Sequence, residues 1–139
     1  MTTQEENQLL LIDLCARLPY SVKCEIDDID EPLELESIKF KGDYFIFGNG
    51  VYERYITEIK PYLRPMSSMT EEEKKDILQS LNIHGDIDNE GNLLLGVECN
   101  KITLKVCKKY LGELYKRMFD VCHMIEKGLA MKAKDGMYD

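Results

Sequence analysis

The stretch GDYFIFGNGVYERYITEI, residues 42–59, decides the fold class. Residues 44–47 are aromatic or β-branched, which is typical of a strand. Residues 48–50, Gly-Asn-Gly, accept positive φ and predict a tight turn, and residues 51–59 predict the next strand. Two short strands joined by a tight turn are the repeating unit of an antiparallel meander.

The same period of two is present upstream of this stretch. Val22, Cys24 and Ile26 alternate with charged residues, which predicts a half-buried strand. A second alternation in residues 33–40 changes phase near residues 36–37 and predicts a β-bulge there. We therefore expect a small antiparallel β-meander, formed as a curled sheet or a small barrel.

An N-terminal helix precedes the predicted sheet. Thr3 and Glu6 have the spacing of a capping box, and the helical period continues to about Arg17. Pro19 ends the helix, because the residue before a proline is disfavoured in the α region. The predicted buried stripe of this helix consists of Leu11, Leu14, Cys15 and Leu18.

Further helices follow the sheet. Thr70 and Glu73 predict a second capping box, opening a middle helix that ends near Leu81. A hairpin is expected around residues 88–91, between two short strands. From Lys101 onward the period is helical, with a kink near Phe119 and a final helix to about Lys127 capped by Gly128. The predicted buried stripe of the C-terminal helices consists of Leu104, Cys107, Leu111, Leu114 and Met118.

Together these patterns predict one α+β domain over residues 1–139, with residues 131–139 as a loose tail. The net charge of −8 argues against DNA as a partner, because DNA binding depends on neutralising phosphates with Lys and Arg. No apolar run is long enough to span a bilayer, and the acidic start, MTTQEEN, lacks the charge pattern of a signal peptide. We expect a cytoplasmic protein with no membrane or nucleic-acid partner.

Five cysteines and two histidines are the obvious candidates for redox or metal chemistry. The cysteine count is odd and includes no CxxC pair, so we expect reduced thiols packed as small hydrophobic residues. Residues 86–92 approach a calcium loop, but Val97 stands where the bidentate carboxylate is required. Cys122 and His123 are helical neighbours about 100° apart and cannot pair as nucleophile and base. We predict no metal, no cofactor and no catalytic residue.

Residues 60–70 are the one place where the sequence suggests a ligand site. Cations, an aromatic ring, hydroxyls and a helix start occur together there, and helix starts bind anions. The candidate ligand-binding residues are Lys60, Tyr62, Arg64, Ser67, Ser68 and Thr70. The architectural alternative is that the prolines stiffen a crossover, that Arg64 pairs with Glu71 or Glu72, and that the serines cap.

Residues 101–139 carry nine basic and five acidic side chains, in contrast to the acidic remainder of the chain. Lysines in residues 101–117 lie mostly off the apolar stripe of the predicted helix. They form a solvated face, or they balance the acidic N-terminal half within the monomer or across a dimer.

Three blocks carry a resemblance to a known family: residues 13–20 (DLCARLPY), residues 59–73 (IKPYLRPMSSMTEEE), and residues 125–130 (IEKGLA) with the later GMY. They are similar to a family of small uncharacterised proteins from Bacteroides-type gut bacteria, their prophages and mobile elements. Members of that family carry a His-Phe-Asp-Tyr-Arg-like run where this chain has MFDVCH, residues 118–123, so no role of that Tyr or Arg is carried over. The resemblance implies an origin and no chemistry.

Three functions remain open from the sequence. The first is a non-enzymatic accessory or interaction protein of phage or mobile-element origin that acts by binding a protein partner or by self-association. The alternative is an anti-defence sponge that binds a small anionic ligand or nucleotide signal. The third is an unrecognised hydrolase.

Overall fold

The computed structural model describes residues 2–39, 44–95 and 104–138. The chain forms two compact units. The first unit comprises Met1–Leu63 and Cys122–Asp139, and the second comprises Arg64–Val121. Each unit is described by itself below, and the single domain expected from the sequence stays a prediction.

Helices and a mostly antiparallel sheet make the chain an α+β protein, as the sequence predicts. The described helices are α1 (Thr3–Arg17), α2 (Glu71–Leu81) and α3 (Leu104–Lys116). The described strands are β1 (Lys23–Ile26), β2 (Leu33–Lys39), β3 (Tyr44–Phe47), β4 (Tyr52–Arg54), β5 (Ile59–Leu63), β6 (Gly85–Ile87), β7 (Leu93–Leu95) and β8 (Met131–Lys132).

The sheet of the first unit has the strand order β4-β3-β2-β1-β5-β8. Neighbouring strands are antiparallel except β5 and β8, which are parallel. The predicted meander is confirmed for β1 to β4, because these strands are neighbours in chain order. In the part of the chain that the structure describes, β4 and β8 lie at the two edges, so the sheet is open and not a closed barrel.

Two predictions for the strands are confirmed in detail. Val22, Cys24 and Ile26 are buried, as their alternation with charged residues requires. The register between β2 and β3 shifts between Leu35 and Ser37, where the apolar period changes phase. The extra residue lets both halves of β2 direct apolar side chains to the core.

The strand predicted for residues 51–59 is wrong in its extent. β4 stops at Arg54, and a 3-10 turn, Ile56–Glu58, separates it from β5. The side chain of Glu58 accepts a hydrogen bond from the backbone N–H of Tyr55 at 2.9 Å, and the Glu58 N–H donates to the Tyr55 carbonyl at 2.9 Å. These reciprocal bonds close the turn and break the strand in two.

The proline-rich segment predicted as a stiffened crossover is in part an inner strand, because β5 lies between β1 and β8. Pro61 is tolerated there because of where its missing N–H falls. The Glu58 carbonyl accepts from Asp27, next to β1, whereas the Leu63 carbonyl accepts from Ala133, next to β8. Alternation along the strand therefore turns Pro61 away from β1, and the pairing with β8 begins only at Tyr62.

The end of the chain, predicted as a loose tail, is instead held to the first unit. β8 pairs with β5, and the backbone N–H of Ala133 donates to the Leu63 carbonyl at 2.8 Å. The Tyr138 hydroxyl accepts from the Lys23 N–H at 2.9 Å and donates to the Tyr62 carbonyl at 2.7 Å. It therefore bridges β1 and β5 in place of a direct backbone bond, and burial raises the pKa of Tyr138.

Replacing Tyr138 with phenylalanine is expected to lower the free energy of unfolding by about 2–3 kcal/mol, because the Lys23 N–H and the Tyr62 carbonyl lose their partner. Chemical denaturation measures this change. Tyr55→Phe is the matched control, since the Tyr55 hydroxyl meets only that of Tyr44 in the contacts the structure gives it and the residue is 54% exposed. Equal losses in the two variants would contradict the bridging role.

Helix α1 is confirmed, with two corrections. Its capping box is Thr2 with Glu5, one residue before the predicted pair, with bonds of 3.2 and 2.8 Å. Its buried face includes Leu14 but not Cys15, which is exposed. The remaining buried positions are Leu10, Asp13 and Arg17. The two charged residues are buried because they are paired at helical spacing, which a purely apolar stripe does not anticipate.

In the second unit, helix α2 and the β6–β7 hairpin are as predicted in the residues described. Thr70 and Glu73 form the capping box, with reciprocal bonds of 3.1 and 3.2 Å. Gly91 closes the hairpin turn at φ +87°, and a Cβ there would lie 2.8 Å from the Met66 sulfur, so the turn requires glycine. The core cluster of this unit consists of Met69, Ile77, Leu81, Ile87, Leu114 and Phe119.

The interruption predicted near Phe119 is confirmed, because α3 ends at Lys116, but the final helix predicted to about Lys127 is wrong, because residues 117–130 form turns. Met118 has a left-handed φ of 64°, the Met118 N–H donates to Tyr115, and the Phe119 N–H donates to Leu114. This is the Schellman arrangement, which satisfies the last helical carbonyls and redirects the chain. Gly128, with φ 73°, closes a single turn by the same pattern and does not cap a helix.

Cysteine burial differs from the expectation that every thiol packs as core. Cys24 is buried and Cys122 is intermediate, but Cys15 and Cys107 are exposed. Cys99 lies outside the described residues. Burial, reinforced by the nearby Asp13 carboxylate, raises the pKa of Cys24, so this thiol stays protonated and unreactive.

Candidate functional site

The six candidate ligand residues fall in both units. Lys60 and Tyr62 belong to β5 in the first unit, and the other four belong to the second. Lys60 is exposed, but Tyr62 is only 5% exposed. The Tyr62 ring is 5.8 Å from the Lys134 ammonium. A buried ring offers no face for a ligand to stack on, so the structure gives the predicted aromatic contact no support.

The guanidinium of Arg64 already holds an anion, the side chain of Glu73. Two parallel bonds of 2.8 and 2.6 Å join the guanidinium to the two carboxylate oxygens. The predicted partners, Glu71 or Glu72, are wrong by two residues and one residue. The guanidinium carbon also lies 4.2 Å from the centre of the Phe119 ring, a cation–π contact.

Backbone bonds fix Arg64 in place as well. Its N–H donates to the Met118 carbonyl at 2.7 Å, and its carbonyl accepts from Asp120 at 2.8 Å. This isolated parallel bridge brings Phe119 beside the guanidinium. The turn that ends α3 therefore positions the residues that clamp Arg64.

Glu73 is the centre of this network. The hydrogen bond from Arg64 lowers the pKa of Glu73. Burial acts in the opposite direction and raises this pKa, and the hydrogen bond from Thr70 lowers it further. Arg117 lies 3.9 Å from the same carboxylate and 3.3 Å from Glu113. Glu113 in turn accepts from the Ser80 hydroxyl at 3.3 Å, so the ionic network connects α2 with α3.

The helix start that was expected to bind an anion is also occupied. Glu73 accepts from the Thr70 N–H, and the Ser68 hydroxyl donates to the Pro65 carbonyl at 2.6 Å. Ser67 is exposed. These contacts favour the architectural alternative for residues 64–70, and Arg64 could grip an external phosphate only by releasing Glu73.

The turn resembling a calcium loop directs its main carboxylate inward to its own backbone. Asp88 accepts from the N–H groups of Glu90 and Asn92 at 2.9 and 2.8 Å, and from the Asn92 amide at 3.0 Å. The bonds from Asn92 hold the pKa of Asp88 below its usual range. His84 and His123 are exposed. Among residues 2–39, 44–95 and 104–138, no three His, Cys, Asp or Glu side chains are grouped to hold a metal.

A surface that the sequence placed in the core is exposed in the structure. Of the predicted stripe on α3, Leu114 and Met118 are buried, but Leu104 is 71% exposed and Leu111 is 42% exposed. Cys107, between them on the same face, is exposed as well. At 3.6 residues per turn these three positions form one apolar stripe about 10 Å long.

The contacts of α3 with its neighbours explain why residues 64–95 and 104–121 leave this stripe exposed. Tyr110 donates to the Gly91 carbonyl at 2.7 Å, and Lys109 donates to the Ser80 carbonyl at 2.6 Å. Leu114 joins the core cluster beside α2. These contacts fix the rotation of α3 about its axis. The three residues of the stripe are therefore left at the exposed surface of the helix.

Exposed lysines, namely Lys108, Lys105 and Lys116, follow the apolar stripe around α3, at about 40°, 100° and 120° from Leu104. We call these lysines together with Leu104, Cys107 and Leu111 the α3 outer face. Glu113 is the sole acidic residue of the α3 sequence, and it bonds to Arg117 and Ser80. The α3 outer face is therefore apolar and basic.

No protein-family model, curated protein or solved structure matches this chain. A search of the described helices finds none that combines the length and the apolar character needed to cross a membrane.

Proposed function

We propose that this chain is a non-enzymatic accessory protein of phage or mobile-element origin that acts in the cytoplasm by binding a protein partner through the α3 outer face. The observation that supports the proposal is the exposure of Leu104, Cys107 and Leu111 on one helix face. Aliphatic side chains at helical spacing normally face a core, and grouped exposed ones mark interaction surfaces. The origin rests on the resemblance described above.

The geometry gives no comparable support to the sponge alternative. Arg64, its main phosphate contact, is occupied by Glu73, and Tyr62 is buried. The exposed Lys60 alone is a point charge, and a lone exposed cation does not specify a nucleotide. The binding of a protein therefore accounts for more of the structure than the binding of a small anion.

Site-specific photo-crosslinking in cells that produce the protein tests this function. A benzophenone side chain at position 104 or 111 is expected to give the same discrete protein adduct. The matched control is the same side chain at Asp76, which is exposed on α2. Leu111→Asp should suppress the adduct formed from position 104. Adducts that are absent, or that are equal at position 76, would overturn the proposal.

A further inference from the structure

Gly112 on α3 has no packing reason among the residues that the structure describes. A Cβ built at this position meets no atom within 4 Å. Glycine is the poorest helix former after proline, so an internal helical glycine normally has a packing reason. Here the open space lies on the exposed side of the helix, one turn after Lys108. The missing side chain leaves room for side chains of a partner on this flank of α3.

The charges on the α3 outer face discriminate between possible occupants. A second copy docked through the same face would place lysines against lysines, because an isologous contact repeats one patch on both subunits. Like charges that face each other are unfavourable. An acidic partner has the opposite charge and would be attracted to Lys105, Lys108 and Lys116.

The form of the partner follows from the spacing of its contacts. Leu104, Cys107 and Leu111 recur at three and four residues, the pattern that receives a ridge of side chains from a second helix. Gly112 lies about 100° around α3 from Leu111, on the flank of this stripe between Lys108 and Lys105, where the absent side chain leaves room for side chains of the partner.

We propose, on the basis of the function proposed above, that the partner segment is an acidic amphipathic helix. Its apolar side chains pack on Leu104, Cys107 and Leu111. Its carboxylates face the lysines on the flank of the stripe that Gly112 leaves open.

A panel of fluorescent peptides tests this inference with the purified protein. The first peptide is a helix with leucines at heptad spacing flanked by glutamates. The second has lysine in place of each glutamate, and the third has serine in place of each leucine. We expect the first to bind at least about tenfold more tightly than the other two, with an affinity that falls as salt is raised.

Gly112→Leu is the decisive variant. Leucine is the better helix former, so the melting temperature should not fall, yet the affinity for the acidic peptide should drop by about tenfold because a side chain on this flank obstructs the approach of the carboxylates to Lys105 and Lys108. A glycine with a merely structural role would not separate these two measurements. Gln79→Leu, which adds the same side chain at an exposed position of α2, should leave the affinity unchanged.

Charge reversal gives the second comparison. Lys105→Glu combined with Lys108→Glu should weaken the binding of the acidic peptide and strengthen the binding of the peptide with lysines in place of glutamates.

The inference is overturned if no peptide binds, if the basic peptide or a DNA duplex binds as tightly as the acidic peptide, or if Gly112→Leu leaves the affinity unchanged. A dimer that dissociates on Leu111→Asp would identify a second copy as the occupant. If the crosslinks at positions 104 and 111 persist while the acidic peptide fails, the proposed function stands and only this partner chemistry is wrong.

Discussion

Replacing Asp13 with asparagine is expected to lower the free energy of unfolding by about 3–5 kcal/mol, the largest effect of any single exchange considered for this chain. Two bonds of 2.7 and 3.0 Å join the Asp13 carboxylate to the Arg17 guanidinium, and both side chains are 0% exposed. Asparagine keeps the size of the side chain but removes its charge. Because a guanidinium stays protonated, the variant leaves a positive charge buried beside a neutral amide.

Urea denaturation of the variant and the parent protein measures this loss. The matched control is Lys39→Ala, which breaks the 3.0 Å pair with Glu53 whose side chains are 55% and 46% exposed. Exposed pairs contribute less than about 1 kcal/mol, so this control should be nearly neutral. Asp13→Leu combined with Arg17→Met should cost less than Asp13→Asn, because it removes both charges. A loss below about 1 kcal/mol for Asp13→Asn would contradict the buried-pair argument.

The buried pair shows where sequence reasoning about α1 stops. The helix and its end before Pro19 follow from local rules, and the structure confirms them. The burial of Asp13 and Arg17 does not follow, because charged residues are placed outside by default. The usable signal was their spacing of four residues within an apolar segment.

The sheet shows the same division between local and tertiary information. The alternation in β1 and the bulge in β2 are encoded by neighbouring residues and are confirmed. β5 is an inner strand because β8, from a distant part of the sequence, pairs with the edge of β5 that faces away from β1. Pro61 argues against an inner strand until the direction of its missing N–H is known.

The candidate site was the least predictable part of the molecule. The residues around Arg64 were expected to attract an anion, and the anion present is Glu73, nine residues later. On α3 the apolar period was recognised, but period alone does not tell which half of a stripe is covered. That depends on the rotation imposed by Tyr110 and Lys109, which only the fold determines.

Replacing Arg64 with alanine is expected to destabilise the protein by about 2–4 kcal/mol, because it removes two charge-assisted hydrogen bonds and the contact with Phe119 together. The side chains of Arg64 and Glu73 are 24% and 18% exposed, so solvent screens this pair far less than the Lys39 pair. The stability of Arg64→Lys should fall between those of Arg64→Ala and the parent protein. An ammonium keeps the positive charge but cannot donate two parallel hydrogen bonds to the carboxylate. Lys75→Ala, on the exposed side of α2, is the control and should change little.

The pH dependence of stability provides an independent readout of the same contact. Arg64 lowers the pKa of Glu73 from its ordinary value of 4.5, so between the two values the unfolded state binds more protons than the folded one. The stabilisation from this contact is therefore complete at pH values above 4.5. It is lost as the pH falls through the lowered pKa of Glu73 in the folded protein. Arg64→Ala should reduce that loss and flatten the curve below pH 4.5, while the hydrogen bonds from Thr70 keep part of the lowering of the pKa.

Titration with inorganic phosphate beside the thermal melts separates the two roles open to Arg64. If Arg64 is the clamp on Glu73 that the geometry describes, Arg64→Ala lowers the melting temperature and the parent protein shows no heat of phosphate binding. If instead the variant melts like the parent and abolishes a measurable heat of phosphate binding, Arg64 is a ligand contact and its bond to Glu73 is exchangeable. The bidentate bonds, the stacked ring and the two backbone bonds of Arg64 all favour the first result.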